Sequence, residues 1–160
     1  MIGVIPKEVT SLPFLSVLGL SDNTLSGIIP GDIGQHSRMQ VIRVENNEIT
    51  GTIPSFIDAN VLIRLVVADN RMIGNLNALS NLNNLRVLLL QGNDFTGTIP
   101  SALGNSNDLA VARFTRNPRL SGPMPNEVCA QRNTNGGALS ILTAQCPGFD
   151  CACCTNSICN

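Results

Sequence analysis

Tryptophan and tyrosine are absent from the chain, and aromatic residues make up only 3% of its 160 positions. Hydrophobic residues still account for 43%, so a buried core has to be built from leucine, isoleucine and valine. Stacked layers of similar aliphatic side chains fill a core in this way. In a chain that stacks such layers along one axis, the number of residues determines how many layers there are, not the size of a single compact core.

Strong net charge and long apolar runs are lacking as well. Ten lysine and arginine residues face eleven aspartate and glutamate residues, for a formal net charge of −1, which argues against a general binder of nucleic acid or of anionic membranes. No apolar run approaches the ~20 residues of a membrane span. The first nine residues, MIGVIPKEV, lack the basic start and long apolar stretch of a signal peptide. We therefore expect no nucleic-acid partner and no membrane insertion.

Catalytic signatures are missing too. The single histidine, His36, lies in the loop-like segment GDIGQHSR, and no serine or cysteine is placed to use it as a base. Glu45 and Asp69 come nearest to a carboxylate pair, but we expect no pocket there that would raise the pKa of one of them for acid catalysis. No glycine-rich phosphate loop follows a strand and opens a helix. The sequence predicts a protein that is not an enzyme and that has no cofactor and no metal site.

What the chain does contain is a repeat. Five segments place apolar residues eight, five and three positions before an asparagine and two or, in the fifth segment, three positions after it, with a glycine four or five positions after it. The segments are residues 15–30, 39–54, 62–76, 85–100 and 109–125. Their shared asparagines are Asn23, Asn47, Asn70, Asn93 and Asn117, at intervals of 24, 23, 23 and 24 residues. A fixed period of this length is typical of a solenoid.

The pattern L-x-x-L-x-L-x-x-N-x-L-x-G-x-I-P resembles that of leucine-rich repeat proteins, and the G-x-I-P ending is similar to the plant-type subclass. The resemblance implies an α/β repeat solenoid, a horseshoe with a parallel β-sheet on its concave face and short helical turns on its convex face. Alternating apolar residues place the strands at residues 17–21, 41–45, 64–68, 87–91 and 111–115. We expect a partial N-terminal repeat at 1–14, five repeats at 15–128 and a cysteine-rich C-terminal cap at 129–160.

The recurring asparagine is interpreted as a structural ladder. Its side-chain amide can donate to and accept from loop backbone groups that would otherwise be buried without partners, at a cost of ~1–3 kcal/mol each. Because all five stand at the one position that the repeat requires, we do not assign them to ligand binding.

The C-terminal region is rich in cysteine. The six cysteines are Cys129, Cys146, Cys151, Cys153, Cys154 and Cys159. They allow fifteen pairings, among which sequence does not choose. We interpret them as disulfides that cover the last repeat, with a zinc site as the alternative, since C-x-C-C with a fourth cysteine five residues later could surround one ion.

Two features of the chain suggest its location. The segment CPGFDCACCTNSIC resembles the C-x-C-C-T tails that follow plant-like leucine-rich repeats in secreted or surface proteins of algae, notably diatoms. Disulfides also belong to oxidising compartments. Gly3 lies 24 residues before Gly27 and begins the second half of a repeat whose first half is missing, so we expect a fragment. We expect an extracellular or cell-surface protein whose signal peptide is not present in this chain.

Strand positions that point away from the core form the one regular array with no role in the fold. We predict that a partner binds there, on the concave face, with apolar residues at the centre and charged residues at the border. The predicted partner-binding residues are Val41, Arg43, Glu45, Arg64, Val66, Val87, Leu89, Gln91, Val111, Arg113 and Arg116. The alternative is that the valines stand there only for their strand propensity.

These observations, together with the resemblance, predict a non-catalytic protein- or peptide-binding module from an extracellular receptor-like or secreted recognition protein. We expect a monomer when both ends are capped. One alternative is an enzyme inhibitor similar to plant polygalacturonase inhibitors, although those have about ten repeats and two stapled caps. Another is an ice-binding or purely structural surface, which needs a threonine at one position in every turn. Thr52 and Thr98 stand at this position, but the other turns have Ile28, Asn75 and Pro123 there.

Overall fold

The computed structural model describes residues 1–35, 38–55, 61–132, 135–144 and 149–155. His36, Cys146 and Cys159 lie outside the described residues. The strands are β1 (Ile2–Val4), β2 (Val17–Gly19), β3 (Thr24–Ser26), β4 (Val41–Arg43), β5 (Arg64–Val66), β6 (Ile73–Gly74), β7 (Val87–Leu89), β8 (Asp94–Gly97), β9 (Val111–Arg113), β10 (Arg119–Leu120), β11 (Gly122–Pro123), β12 (Ile141–Thr143) and β13 (Phe149–Asp150). The helical segments are four 3-10 turns, Lys7–Ser11, Gly31–Gln35, Asn77–Asn81 and Ser101–Asn105, and one α-helix, α1 (Asn126–Ala130).

Six strands form one parallel sheet in the order β12-β9-β7-β5-β4-β2. Neighbouring strands pair so that the middle residue of each lies beside the middle residue of the next. Each of these middle residues is buried, with at most 7% exposure, and together they form one row of the core: Leu18, Ile42, Leu65, Leu88, Ala112 and Leu142. The expected leucine-rich repeat solenoid with a parallel sheet is confirmed, and β12 adds a sixth strand after the five that the sequence predicts.

The strands are three residues long, whereas the sequence predicted five. Backbone hydrogen bonds between turns continue beyond the strands, for example from the Asn46 amide to the Ala68 carbonyl at 3.0 Å. The residue before the shared asparagine, however, adopts a positive φ in every full repeat, as in Asn46 (57°) and Asp69 (53°). Because extended backbone requires a negative φ, this bend ends the extended segment directly after the predicted strand ends at Glu45 and Ala68, and it does not account for the shorter strands.

The asparagine ladder connects each turn to the preceding one. The Asn93 Oδ1 atom accepts from the Met72 amide at 2.9 Å, and its Nδ2 atom donates to the Val67 carbonyl at 3.0 Å and to the Leu90 carbonyl at 3.1 Å. Asn47, Asn70 and Asn117 make the corresponding bonds. One amide thus satisfies three backbone groups in two turns, as the structural interpretation requires.

A second set of short parallel strands follows the asparagines. It comprises the pair β1-β3, the three strands β10-β8-β6, the pair β11-β13 and the single bridge between Ile28 and Thr50. Residues that directly follow these strands and this bridge, such as Thr52 and Thr98, are counted with this set. The repeated glycine lies here with positive φ, a conformation that other residues rarely adopt. At Gly51 the preceding turn also leaves no room for a side chain. A Cβ atom on Gly51 (φ +77°) would lie 2.7 Å from Ile28 Cγ2, so a larger residue would be excluded by contact with the preceding turn as well as by conformation.

The C-terminal end of the solenoid is covered. Helix α1 packs against the 3-10 turn Ser101–Asn105, and the outer edge of β12 is occupied by Thr155, whose amide donates to the Leu142 carbonyl at 2.7 Å. The buried Arg132 guanidinium donates to the Leu139 and Ser140 carbonyls and to Thr155 Oγ1. Arg132 therefore ties the tail to the last strand through hydrogen bonds.

Two disulfides strengthen this end. Cys129 in α1 is bonded to Cys153, and Cys151 is bonded to Cys154. The predicted disulfides are thus present for four of the six cysteines, with the pairing that sequence left open. Because these four sulfur atoms are bonded to one another, they are not available as zinc ligands.

The N-terminal end is open by comparison. Strand β1 pairs with β3 and the N-terminal amine donates to Asn23 Oδ1, but β2 is the edge of the six-stranded sheet. Ile2 is 91% exposed and Phe14 75% exposed, with only the Arg38 guanidinium above the Phe14 ring. Among the described residues, no helix is long and apolar enough to cross a membrane.

Candidate ligand-binding face

The strand face is defined here by the side chains of the six-stranded sheet, and of the residues directly after its strands, that point away from the core. In the second to fifth repeats, the first residues of the strands form one row: Val41, Arg64, Val87 and Val111. The third residues form the next row: Arg43, Val66, Leu89 and Arg113. Further rows follow with Glu45, Ala68, Gln91 and Thr115, and then Asn46, Asp69, Gly92 and Arg116. The structure therefore brings all the predicted partner-binding residues together on one surface.

One of these residues does not present the expected apolar surface. Val66 is only 4% exposed and Ala68 only 3%, although both stand in outward rows. They are short side chains, and each lies between longer ones on the neighbouring turns, Arg43 and Leu89 beside Val66 and Glu45 and Gln91 beside Ala68. Val66 and Ala68 therefore form the floor of a depression, and the apolar area that solvent still reaches comes from the half-buried side chains of Val87, Leu89 and Val111.

Arg43 and Glu45 form an ion pair on the wall of this depression. The Arg43 guanidinium donates to Glu45 Oε1 through Nη2 at 2.7 Å and through Nε at 3.2 Å. Burial alone would raise the pKa of Glu45, but hydrogen bonds from Arg43 and Ser21 outweigh it and hold the pKa of this carboxyl below its usual value. Glu45 therefore stays ionised at neutral pH, and its charge is offset by Arg43.

A second ion pair spans two turns. Arg116 Nη2 lies 2.6 Å from Asp69 Oδ1, and Gly92 occupies the intervening turn. A Cβ atom on Gly92 would lie 2.3 Å from Asp69 Oδ1 and 3.3 Å from Arg116 Nη2. The absence of a side chain at Gly92 thus creates the path along which Arg116 reaches Asp69.

Arg64 and Arg113 differ from the other two arginines. Both are exposed, and among the described residues neither takes part in an ion pair or a side-chain hydrogen bond. Of the four arginines predicted to contact a partner, two are therefore neutralised by carboxylates and two are free. The sequence predicted the same binding role for all four arginines, because whether an arginine reaches a carboxylate depends on the conformation of its side chain.

Two polar atoms on the strand face lack partners. Glu45 Oε2 and Gln91 Oε1 are buried from solvent and accept no hydrogen bond from described residues. They belong to the turns on either side of Ala68. A buried acceptor without a donor costs about 1–3 kcal/mol, and because both atoms are shielded from solvent they are not open to a ligand on this surface.

The sequence places Asp69 and Gly92 in the same outward row as Arg116, but the predicted partner-binding residues did not include them. One signal was available: at the position before the shared asparagine the repeats have Asp22, Asn46, Asp69, Gly92 and Arg116, and only one of these lacks a side chain. A glycine between residues of opposite charge in a solenoid row leaves room for a contact between next-nearest turns.

Other surfaces offer less to a ligand. An open apolar depression of about 440 Å³ lies at the N-terminal end, between Val4 and Lys7 on one turn and Ile28 and Asp32 on the next. On the second set of strands, the Ser26 and Thr50 hydroxyls donate to backbone carbonyls of the preceding turn. In the part of the chain that the structure describes, no group of three histidine, cysteine, aspartate or glutamate residues is placed to hold a metal ion.

Comparison with known proteins agrees with this architecture. The family model described as Leucine Rich Repeat matches residues 14–36 and 84–106. The LRR ectodomain of the receptor kinase SOBIR1 from Arabidopsis thaliana is 34% identical, with a TM-score of 0.72, over 76% of this chain and 67% of that one. No curated protein matches the chain in sequence.

Two further solved structures cover nearly the whole chain. The plant peptide hormone receptor RGFR1, solved in complex with RGF2, is 30% identical with a TM-score of 0.84 over 94% of this chain. A plant ice-binding protein is 27% identical with a TM-score of 0.74, also over 94%. The chain spans only 23% of RGFR1 and 46% of the ice-binding protein.

Proposed function

Because the chain belongs to the leucine-rich repeat family, we propose that it is a non-catalytic module that binds a peptide or protein segment on the strand face outside the cell. The similar RGFR1 structure is that of a peptide hormone receptor with RGF2 bound, which supports a ligand of this class. Two disulfides within the described residues support an oxidising, extracellular location.

One observation carries the proposal. The strand face is where side chains vary between turns without a structural reason, and it combines half-buried aliphatic residues with two arginines that have no ion-pair partner among the described residues. At the other repeated positions the fold determines the residue: apolar side chains fill the core, asparagines form the ladder, and glycines adopt the positive φ that the backbone requires. Apolar patches with a charged border are typical of surfaces that bind other proteins.

The experiment is a selection of peptides from a displayed random library on the oxidised, folded chain. We expect the selected peptides to lose at least about tenfold in affinity for the double variant Val87→Ser/Leu89→Ser, since central apolar contacts carry most of the binding free energy. The matched control is Ile28→Ser/Ile73→Ser, which changes two exposed aliphatic residues on the second set of strands and should not alter binding. Peptides that depend on Ile28 and Ile73 instead would contradict the proposal.

Ice binding is the second candidate, because a plant ice-binding protein has a similar fold and Thr52 and Thr98 are exposed on the second set of strands. That row is interrupted by exposed Ile28, Asn75 and Pro123, which supports ranking this function lower. Thermal hysteresis in a freezing assay, abolished by Thr52→Val and Thr98→Val, would favour it. The inhibitor alternative is tested by adding the folded chain to a polygalacturonase assay, where we expect no inhibition.

A further inference from the structure

The strand face contains a small patch with a diagonal pattern of charge. In strands β5, β7 and β9, Arg64 pairs with Val87 and Val87 with Val111, while Val66 pairs with Leu89 and Leu89 with Arg113. These six residues form a block two positions long and three turns wide. The two arginines occupy opposite corners, and every other position in the block is aliphatic.

The charge of this block is uncompensated. Arg64 and Arg113 have no ion-pair partner among the described residues, whereas the carboxylates nearest to the block are already engaged, Glu45 by Arg43 and Asp69 by Arg116. The remaining carboxylate on the strand face, Asp22, lies at the N-terminal end and accepts a hydrogen bond from Asn46 at 2.7 Å. The block therefore presents two positive charges on a chain whose formal net charge is −1.

The spacing of the two arginines sets the length of a complementary ligand. Their backbones are separated by two strand spacings of ~4.8 Å and by two residues of ~3.3 Å along the strand, which places them ~12 Å apart. In an extended peptide, side chains at positions i and i+4 lie on the same side and ~13 Å apart. The side chain at i+2 lies on that side too and would face Val87 and Leu89.

We propose that the strand face selects an extended acidic segment with the pattern acidic-x-apolar-x-acidic. Its two carboxylates pair with Arg64 and Arg113, and its central apolar side chain rests on Val87 and Leu89. Guanidinium–carboxylate pairs of this kind are charge-assisted and geometrically specific. This inference rests on the proposed function, because it names the ligand of the same face.

The test uses three nine-residue synthetic peptides with blocked ends. One has the central sequence Asp-Ser-Leu-Ser-Asp, the second replaces both aspartates by asparagine, and the third keeps the charge but places the two aspartates side by side. Each is measured against the folded, disulfide-bonded chain by fluorescence anisotropy, and the library selection described above is scored for the same pattern. Variants Arg64→Glu and Arg113→Glu are compared with Arg119→Glu, an exposed arginine outside the strand face, and Arg64→Gln and Arg113→Gln replace any charge reversal that fails to fold.

We expect the first peptide to bind at least about tenfold more tightly than either of the others, and each strand-face variant to lose about tenfold, since a hydrogen bond to a charged group contributes ~1.5–3 kcal/mol. The Arg119→Glu control should change less than about twofold. Selected peptides that depend on Val87 and Leu89 but carry no acidic pair would overturn the acidic ligand and leave the proposed function standing. If no selected peptide depends on Val87 and Leu89, both are contradicted.

Discussion

The two outward surfaces of each turn differ in how closely the fold controls their side chains. On the side that carries the asparagines and glycines, each turn repeats the same chemistry, because Asn47, Asn70, Asn93 and Asn117 bridge turns in the same way. On the strand face the same rows hold valine, arginine, leucine, glutamate and glutamine. The comparison separates positions that specify the solenoid from positions that are free to specify a ligand.

The sharpest form of this comparison lies within one strand. Leu88 is fully buried in the core row, and Leu89 beside it points outward. Replacing Leu88 with alanine should lower the free energy of unfolding by about 2–5 kcal/mol through lost burial and a cavity, while Leu89→Ala should cost much less and instead weaken peptide binding. Chemical denaturation of both variants checks this, and equal destabilisation would erase the distinction between the two surfaces.

The asparagine ladder should come next in magnitude. Asn93→Ala removes the acceptor of the Met72 amide, while the Val67 and Leu90 carbonyls each lose one of two asparagine donors and keep the other. We expect a loss of about 1–3 kcal/mol, because the Met72 amide stays buried without an acceptor. Asn107→Ala is the control, since Asn107 is exposed outside the ladder. A ladder variant as stable as this control would show that the ladder does not hold the turns together.

Gly92 has a positive φ that the fold requires, and it also lies on the strand face, so its replacement should affect both the stability of the solenoid and the contacts on that face. Gly92→Ala should destabilise the chain by about 1–2 kcal/mol, the cost of a side chain at its φ of +70°. It should also separate Arg116 from Asp69, because the new Cβ atom would meet Asp69 Oδ1 at 2.3 Å. Thermal unfolding of Gly92→Ala and of Arg116→Ala distinguishes the two effects, since Arg116→Ala removes the ion pair alone and should cost less than about 1 kcal/mol.

The smallest expected effect on stability is at Arg64. Its side chain is exposed and makes no ion pair among the described residues, so Arg64→Ala should change the free energy of unfolding by no more than about 0.5 kcal/mol. Arg43→Ala is its matched partner, because it leaves the partly buried Glu45 carboxylate without its guanidinium. Urea denaturation should rank Arg43→Ala as the more destabilising change, and the reverse order would contradict the division into paired and free arginines.

Sequence was sufficient for the repeated side of this comparison. The period of 23 or 24 residues predicted the parallel sheet, the inward row and the ladder, because each follows from local spacing that every turn copies. It overestimated strand length, because the alternation of inward and outward residues continues for two residues beyond β4 and β5, which end at Arg43 and Val66. It also placed Val66 on the exposed surface, because the exposure of a short side chain depends on the reach of its neighbours on adjacent turns.

The charge pattern of the strand face was only partly predictable. Arg43, Arg64, Arg113 and Arg116 could be assigned to one surface from their positions in the repeat. Which of them remain free depends on side-chain reach, since Arg43 pairs with Glu45 two residues along its own turn and Arg116 pairs with Asp69 at 2.6 Å across Gly92. The pairing of the cysteines was unpredictable because fifteen arrangements satisfy the same spacing.

Methyl chemical shifts of the chain, recorded with and without a selected peptide, test the central claim most directly. If the peptide binds on the strand face, the methyl groups of Val87, Leu89 and Val111 should shift, and those of Ile28 and Ile73 on the second set of strands should not. Shifts confined to Ile28 and Ile73, with Val87, Leu89 and Val111 unchanged, would contradict the assignment of ligand binding to the strand face.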